Sequence, residues 1–142
     1  MQNEDACREV IETLLHIKIK KLEYIELQHT IDMAYNAKGV RLDVYVADSD
    51  RVFDVEIQTS LNNELPLRSR YYQSLIDIDT LKSGALYTAL KESYVIFICT
   101  EDPFKCSLPC YTFENMCQEK HDLSLDDKLY KVFYNISAYK KA

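Results

Sequence analysis

The stretch RLDVYVADSDRVFDVEIQ, from Arg41 to Gln58, has the most regular alternation of apolar and polar residues in the sequence. Apolar residues occupy every second position on both sides of DSD, a pattern typical of two β-strands joined by a tight turn. Because side chains alternate across a strand, the aliphatic residues share one face, and Asp43, Asp54, Glu56 and Gln58 share the other. The hairpin thus has one apolar face and one face crowded with three carboxylates and an amide.

The register of this hairpin follows from the need to bring both aliphatic faces together. A slip of one residue would turn one of them outward. A tight turn with Ser49 and Asp50 at its tip avoids the slip, whereas a β-bulge would shift the pairing by one residue. The predicted opposite pairs are Val44 with Val55, Tyr45 with Asp54, and Asp43 with Glu56.

The facing carboxylates of Asp43 and Glu56 would repel each other, so this pairing requires an explanation. One interpretation is a site for Mg²⁺, which prefers hard oxygen ligands and takes one or two carboxylates together with waters and substrate phosphates. The other interpretation is a half-solvated hairpin whose polar side faces water. Spacing alone favours the second interpretation, because short acidic patterns recur by chance.

Length and composition bound the class of protein. The chain has 142 residues, which suits a single domain spanning 1–142, and its 47% hydrophobic and 28% charged residues are ordinary for a globular protein. No apolar run is long enough to cross a bilayer, and the acidic N-terminus MQNEDACREVIE is unlike a signal peptide. We therefore expect a cytoplasmic protein with no membrane partner and with reduced cysteines.

The order of elements is read from periodicity and turn residues. Apolar residues at helical spacing predict a first helix within Glu4–Leu22, and alternation predicts a first strand at His29–Tyr35, ahead of the hairpin. A second helix is predicted at about Pro66–Lys82, closing at Gly84. The run Tyr94–Thr100 predicts a strand buried on both faces, and the late segment LYKVFYNI predicts an edge strand. The predicted order is helix, strand, strand, strand, helix, strand, which is an α/β domain.

Four segments of the chain, taken in order, resemble one known family. They are RLDVYVADSDRVFDVEIQ, RSRYYQSLIDIDTLKSGALY, YVIFICTEDPF and FYNI, within about Gly39–Ile136. Together they resemble the PD-(D/E)XK nuclease family transposases and, among these, the Rpn group of recombination-promoting nucleases. The resemblance implies a restriction-endonuclease-like core, with a mixed sheet flanked by helices. It also implies a metal-dependent DNA endonuclease that hydrolyses phosphodiester bonds, with Mg²⁺ or Mn²⁺ as cofactor and DNA as partner.

The resemblance further implies roles for individual residues. Asp43 and Glu56 would be metal ligands, and the backbone carbonyl of Ile57 would be a further ligand. Gln58 occupies the position where the motif usually carries lysine, and it completes the catalytic set with Asp43 and Glu56. Its amide can hydrogen-bond to a water or a phosphate oxygen, but it cannot stabilise negative charge as an ammonium does.

Residues from the two predicted helices extend this candidate site. Glu12 is the preferred additional acidic residue, because Glu9 lies opposite the apolar stripe of the first helix; a solvated helix face is the alternative for either. On the second helix, Arg68 and Tyr72 share a face and are candidates for substrate binding. The neighbouring arginine and tyrosine of RSRYY are alternatives to them, and the tyrosines could instead pack in the core with their hydroxyls at its rim.

Other functions remain open from the sequence. The alternative to a nuclease is a catalytically inactive mobile-element remnant that binds DNA or a protein, which Gln58 and the net charge of −6 favour. A third interpretation is a homodimer formed through the sheet edge or a tyrosine-rich surface. The set Cys106, Cys110, Cys117 and His121 lacks the spacing usual for zinc, so buried or incidental thiols are expected instead.

Overall fold

The computed structural model describes residues 12, 22–31, 40–48, 50–59, 64–81 and 84–139, with the backbone alone for 22–31 and 40–43. Short 3₁₀ turns span Tyr87–Ala89 and Ile136–Tyr139. The strands and helix of the described chain are β1 (Leu22–Ile31), β2 (Val40–Asp48), β3 (Arg51–Gln58), α1 (Leu65–Thr80), β4 (Glu92–Cys99), β5 (Cys110–Phe113) and β6 (Leu129–Asn135).

The strands form one mixed sheet with the spatial order β1-β2-β3-β4-β6-β5. The first three strands are antiparallel, β3 and β6 flank β4 in parallel, and β5 runs antiparallel to β6. The helix α1 is the crossover that parallel pairing of β3 with β4 requires. The predicted α/β class with a mixed sheet is therefore confirmed. Most of the predicted first helix lies outside the described residues, so the complete predicted order stays a prediction.

The hairpin of β2 and β3 has the predicted register from Val44 to Ala47, and the predicted pair of Asp43 with Glu56 stays a prediction. Val44 lies opposite Val55, and Tyr45 lies opposite Asp54. Asp48 fixes the turn, because its Oδ1 accepts hydrogen bonds from the backbone N–H of Asp50 at 2.8 Å and of Arg51 at 2.6 Å. Such hydrogen bonds from an aspartate to the backbone of the following residues favour a tight turn.

Side chains alternate across the sheet, and both faces are buried. The face toward α1 includes Tyr45 and Val52, which pack with Leu65 of the helix. The opposite face includes Val46 and Phe53. β4 supplies buried residues to both faces, which confirms the prediction for this strand. These β4 residues are Val95 and Phe97 on the α1 face, and Ile96 on the other.

Three features of the sheet differ from the predictions. β1 begins at Leu22 and not at His29, because its whole length pairs with β2, from Leu22 opposite Asp48 to Ile31 opposite Val40. A helix extending through Leu22 is therefore wrong at that residue. β6 is not an edge strand, since it lies between β4 and β5. β5 was not predicted, because it has only four residues and the last two are exposed.

The helix α1 matches its prediction at the N-terminal end, where Pro66 lies in the first turn. The predicted C-terminal end is wrong, because α1 ends at Thr80 and its C-cap residue is Leu81, in an extended conformation. Gly84 lies beyond this cap, with a φ of 84° that glycine adopts readily. A buried hydrogen bond fixes α1 on the sheet, because Ser93 Oγ donates to Gln73 Oε1 at 3.0 Å. In the described part of the chain, α1 is too short and too polar to cross a bilayer, and no other helix there could do so.

Candidate functional site

The polar side of β3 is buried, and it lies on the face of the sheet against which α1 packs. Asp54 is 0% exposed and Glu56 is 3% exposed, although both are carboxylates. Strand alternation puts them, with Gln58, on the same face as Val52, which packs against the helix. The interpretation in which this polar side faces water is therefore wrong for Asp54 and Glu56. Sequence alternation had identified the shared face, but it could not show that this face is buried.

For three of the predicted site residues, the structure shows the position but not the role. Asp43 belongs to β2, but its side chain lies outside the described part of the structure. Ile57 has a side chain 61% exposed, on the strand position between Glu56 and Gln58. Glu12 is helical and half-buried. The proposed roles of Asp43, of the Ile57 carbonyl and of Glu12 therefore stay predictions.

The structure joins Gln58 to the two residues of α1 that were predicted to bind substrate. Arg68 Nη1 donates to Gln58 Oε1 at 2.9 Å, and Arg68 Nη2 donates to Tyr72 Oη at 3.1 Å. A spacing of four residues places Arg68 and Tyr72 on one side of the helix. These three residues form one hydrogen-bonded group at the C-terminal end of β3, which we call the Gln58 group.

Aromatic rings support the cation of the Gln58 group. The Arg68 guanidinium carbon lies 5.3 Å from the centroid of the Tyr72 ring and 5.6 Å from that of the Phe97 ring. These distances are within the range of cation–π attraction. In the parallel ladder, Phe97 is the register partner of Glu56. The guanidinium therefore lies over the sheet close to the strand position of a buried carboxylate.

The Arg68 cation has no acidic counterpart in the described structure. Among the described residues, no carboxylate lies at salt-bridge distance from this guanidinium. Arginine keeps its charge at all physiological pH values. The Gln58 group therefore presents a positive charge that an anion could neutralise.

A loop after β4 completes this end of the sheet. The Asp102 carboxylate accepts hydrogen bonds from the Tyr111 hydroxyl at 2.8 Å and from the backbone N–H groups of Phe104, Lys105 and Ser107. Desolvation acts to raise the pKa of Asp102, but these hydrogen bonds outweigh it and lower the pKa. Both carboxylate oxygens of Asp102 are therefore used in hydrogen bonds that hold this loop together. Its position directly before a proline was the available sequence signal.

Cys99 contributes a neutral thiol beside the Gln58 group. It is the register partner of Gln58 in the ladder and is fully buried. Desolvation, with a further contribution from the charge of Asp102, raises the pKa of the Cys99 thiol to about 11. A protonated thiol is a poor nucleophile and a poor metal ligand. The chemistry of this region therefore rests on oxygen donors and on Arg68.

This thiol gives a direct test of burial at the site. We expect iodoacetamide at pH 8 to label Cys99 at least roughly a hundredfold more slowly than the exposed Cys106, because few Cys99 thiols are ionised and none is accessible. Mass spectrometry of a labelling time course measures both rates in one sample. In denaturant the two rates should converge. Equal rates in the native protein would contradict the burial of Cys99.

The carboxylate oxygens on this face of β3 are the kind of ligand atom that a hard divalent cation prefers. Glu56 offers carboxylate oxygens at a buried position, and burial of a carboxylate is costly unless a cation or hydrogen-bond donors compensate it. Asp54 is a second buried carboxylate on this face, which the sequence-based site did not include. Within the described ranges, no group of three or more His, Cys, Asp or Glu side chains could hold a metal by itself. The predicted partner Asp43 therefore decides whether the ligand set is complete.

Comparison with known proteins identifies the family. The family model described as PD-(D/E)XK nuclease family transposase matches residues 1–142, which extends past both ends of the resemblance in the sequence. No curated protein and no solved structure matches the chain. A mixed sheet with α1 between β3 and β4 agrees with the fold expected for this family. By this match over its whole length, the chain belongs to the PD-(D/E)XK nuclease family transposases.

Proposed function

We propose that this protein is a DNA endonuclease that hydrolyses phosphodiester bonds and depends on Mg²⁺ or Mn²⁺. The observation that carries the proposal is the pairing of two features on one face of β3. Glu56 is a buried carboxylate, and two residues further on Gln58 holds the guanidinium of Arg68. A carboxylate suits a cation, and a guanidinium suits a phosphate. Membership of a nuclease family supports the same function.

Each residue of the site has a proposed role. Glu56 and Asp43 would hold the divalent ion, with the Ile57 carbonyl as a further ligand. When bound, the ion would supply Lewis-acid stabilisation of the phosphate charge. Continuing the observed pairing one residue past Val44 and Val55 brings Asp43 opposite Glu56, which supports this assignment.

The remaining site residues would bind the substrate, orient other groups or add charge. Arg68 would contact the DNA backbone with its guanidinium, and Tyr72, one helical turn later, with its hydroxyl. Gln58 would orient Arg68 or a phosphate oxygen by hydrogen bonding. Glu12, from the N-terminal region, would add an acidic group.

The alternative function is a catalytically inactive module that binds DNA or a protein. Two observations favour it: the motif position carries the uncharged Gln58, and the chain has a net charge of −6. A negative protein is repelled by DNA at long range, so binding would have to rely on a local cation such as Arg68. The two functions share the Gln58 group and differ in whether cleavage occurs.

Plasmid cleavage separates the two functions. We expect the purified protein to nick or linearise supercoiled plasmid in Mg²⁺ or Mn²⁺, and a chelator to stop the reaction. Glu56→Gln should reduce the rate by at least roughly a hundredfold, because it removes charge that the cation needs. Glu119→Gln is the matched control, since Glu119 is exposed in the segment between β5 and β6 and should be neutral. A wild-type protein that binds the plasmid but leaves it intact in every divalent metal would establish the binding module.

A further inference from the structure

Arg68 is held in a fixed position before any ligand arrives. Its two terminal nitrogens each donate one hydrogen bond, Nη1 to Gln58 and Nη2 to Tyr72. The rings of Tyr72 and Phe97 lie beside its guanidinium carbon. A free arginine side chain loses considerable rotamer entropy when a ligand orders it. In this protein that ordering has taken place in the folded state, which favours ligand binding.

The charge and shape of this group are complementary to a phosphate. Among the described residues, the guanidinium has hydrogen-bonding partners but no carboxylate at salt-bridge distance. The planar fork of N–H donors in arginine matches two phosphate oxygens. Because Gln58 and Tyr72 use one donor on each terminal nitrogen, the rest of the fork is available to an anion.

The lack of charge at position 58 is explained by the hydrogen bond to Arg68. A glutamine there accepts a hydrogen bond from Arg68, whereas a lysine would bring an ammonium against a guanidinium. Like charges in contact disfavour the folded arrangement. The amide oxygen of Gln58 is thus the partner that Arg68 requires, and not the remainder of a lost lysine.

We infer that Arg68 supplies the positive charge that contacts the substrate phosphate at the reacting centre, and that Gln58 is the positioning residue for it. The inference rests on the proposed nuclease function, because the phosphate in question is the one being hydrolysed. It assigns to two residues, one on β3 and one on α1, what a single lysine does in the usual motif.

A charge exchange tests the inference through activity. Arg68→Gln should lower the cleavage rate by roughly a hundredfold or more, because a charge-stabilising donor is lost. Gln58→Lys should lower it as well, since the introduced ammonium would repel Arg68. The double variant Gln58→Lys/Arg68→Gln should recover much of the activity, because the cation and its acceptor have exchanged positions. Lys120→Gln, which removes an exposed charge in the loop between β5 and β6, should have no effect.

Two measurements test the inference without catalysis. In metal-free buffer, Arg68→Gln should reduce the salt slope of duplex DNA binding by about one phosphate contact, or ~0.9 in log–log units, measured by fluorescence anisotropy. The exchanged double variant should regain this slope. Thermal unfolding should show a lower Tm for Gln58→Lys and a higher Tm for the double variant than for that single variant.

The outcomes distinguish this inference from the proposed function. A wild-type protein without cleavage activity overturns the proposed function, while the salt slope and the Tm comparison still decide on the Arg68 contact. An active wild type whose Arg68→Gln variant is unimpaired overturns the inference alone. A gain of activity in Gln58→Lys also overturns it, because that result would mean that a lysine is tolerated beside Arg68.

Discussion

Asp43→Asn is expected to reduce plasmid cleavage in Mg²⁺ by at least roughly a hundredfold. The register of β2 with β3 is observed up to Val44 opposite Val55, and the next pair in this ladder would be Asp43 and Glu56. Asparagine has the shape of aspartate but carries no charge to attract a cation. The rate of nicking, measured over a range of Mg²⁺ and Mn²⁺ concentrations, gives the size of the loss. Asp50→Asn, at an exposed position in the same hairpin, is the matched control.

Stability measurements show whether the loss in Asp43→Asn comes from the site or from the fold. In metal-free buffer the variant should be as stable as the wild type or more stable, because one of two facing carboxylates has been neutralised. Added Mg²⁺ should raise the Tm of the wild type. At a Mg²⁺ concentration one hundred times the Kd, the free energy of unfolding should increase by about 2.7 kcal/mol. The variant should show little change in either quantity. Equal activity and equal metal response in both proteins would contradict a metal site at Asp43.

Phe97→Ala is expected to destabilise the protein by about 3–5 kcal/mol. Phe97 is fully buried in the central strand β4, and its ring stacks on Phe133 with the centroids 5.2 Å apart. Its truncation removes a large apolar side chain and leaves a cavity that a sheet covered by α1 cannot easily fill. Urea unfolding with an unchanged m-value measures the loss. Since domains of this kind are stable by about 5–15 kcal/mol, one substitution would remove a large share of the total.

A milder pair of variants separates the packing of Phe97 from its support of Arg68. Phe97→Leu and Phe53→Leu each remove a buried ring, but Phe53 lies on the face away from α1, stacked on Tyr94. Both variants should lose stability to a similar degree. Only Phe97→Leu should also weaken DNA binding, because its ring lies beside the Arg68 guanidinium. Equal binding by the two variants would show that the ring contributes packing alone.

The parts of the fold that the sequence predicts are those encoded in neighbouring residues. The register of Tyr45 with Asp54 follows from alternation and a short turn, both of which are local. The burial of β4 follows from a continuous apolar run. By contrast, the position of β6 inside the sheet depends on β5, which is too short to show a periodic pattern. Local patterns therefore predicted where strands form better than they predicted which strands lie next to each other in the sheet.

For the candidate site too, local sequence patterns identified residues but not the contacts between them. The sequence indicated Gln58, Arg68 and Tyr72 individually, but not the hydrogen bond between Gln58 and Arg68. That contact depends on where α1 lies over the sheet, which long-range contacts such as the bond from Ser93 to Gln73 determine. The burial of Glu56 likewise depends on long-range packing against the sheet. Alternation could show that polar residues share a face, but not whether water or a helix covers that face.

The turn held by Asp48 has a consequence for how such proteins can evolve. Because it joins two strands whose faces are both buried, inserting or deleting one residue there would rotate every later side chain of β3 to the opposite face. Asp54 and Glu56 would then enter the apolar layer around Phe53. The segment 114–128 between β5 and β6 is mostly exposed and tolerates changes of length far better. Among related chains, we expect the spacing from Asp43 to Gln58 to stay constant while the segment before β6 grows and shrinks.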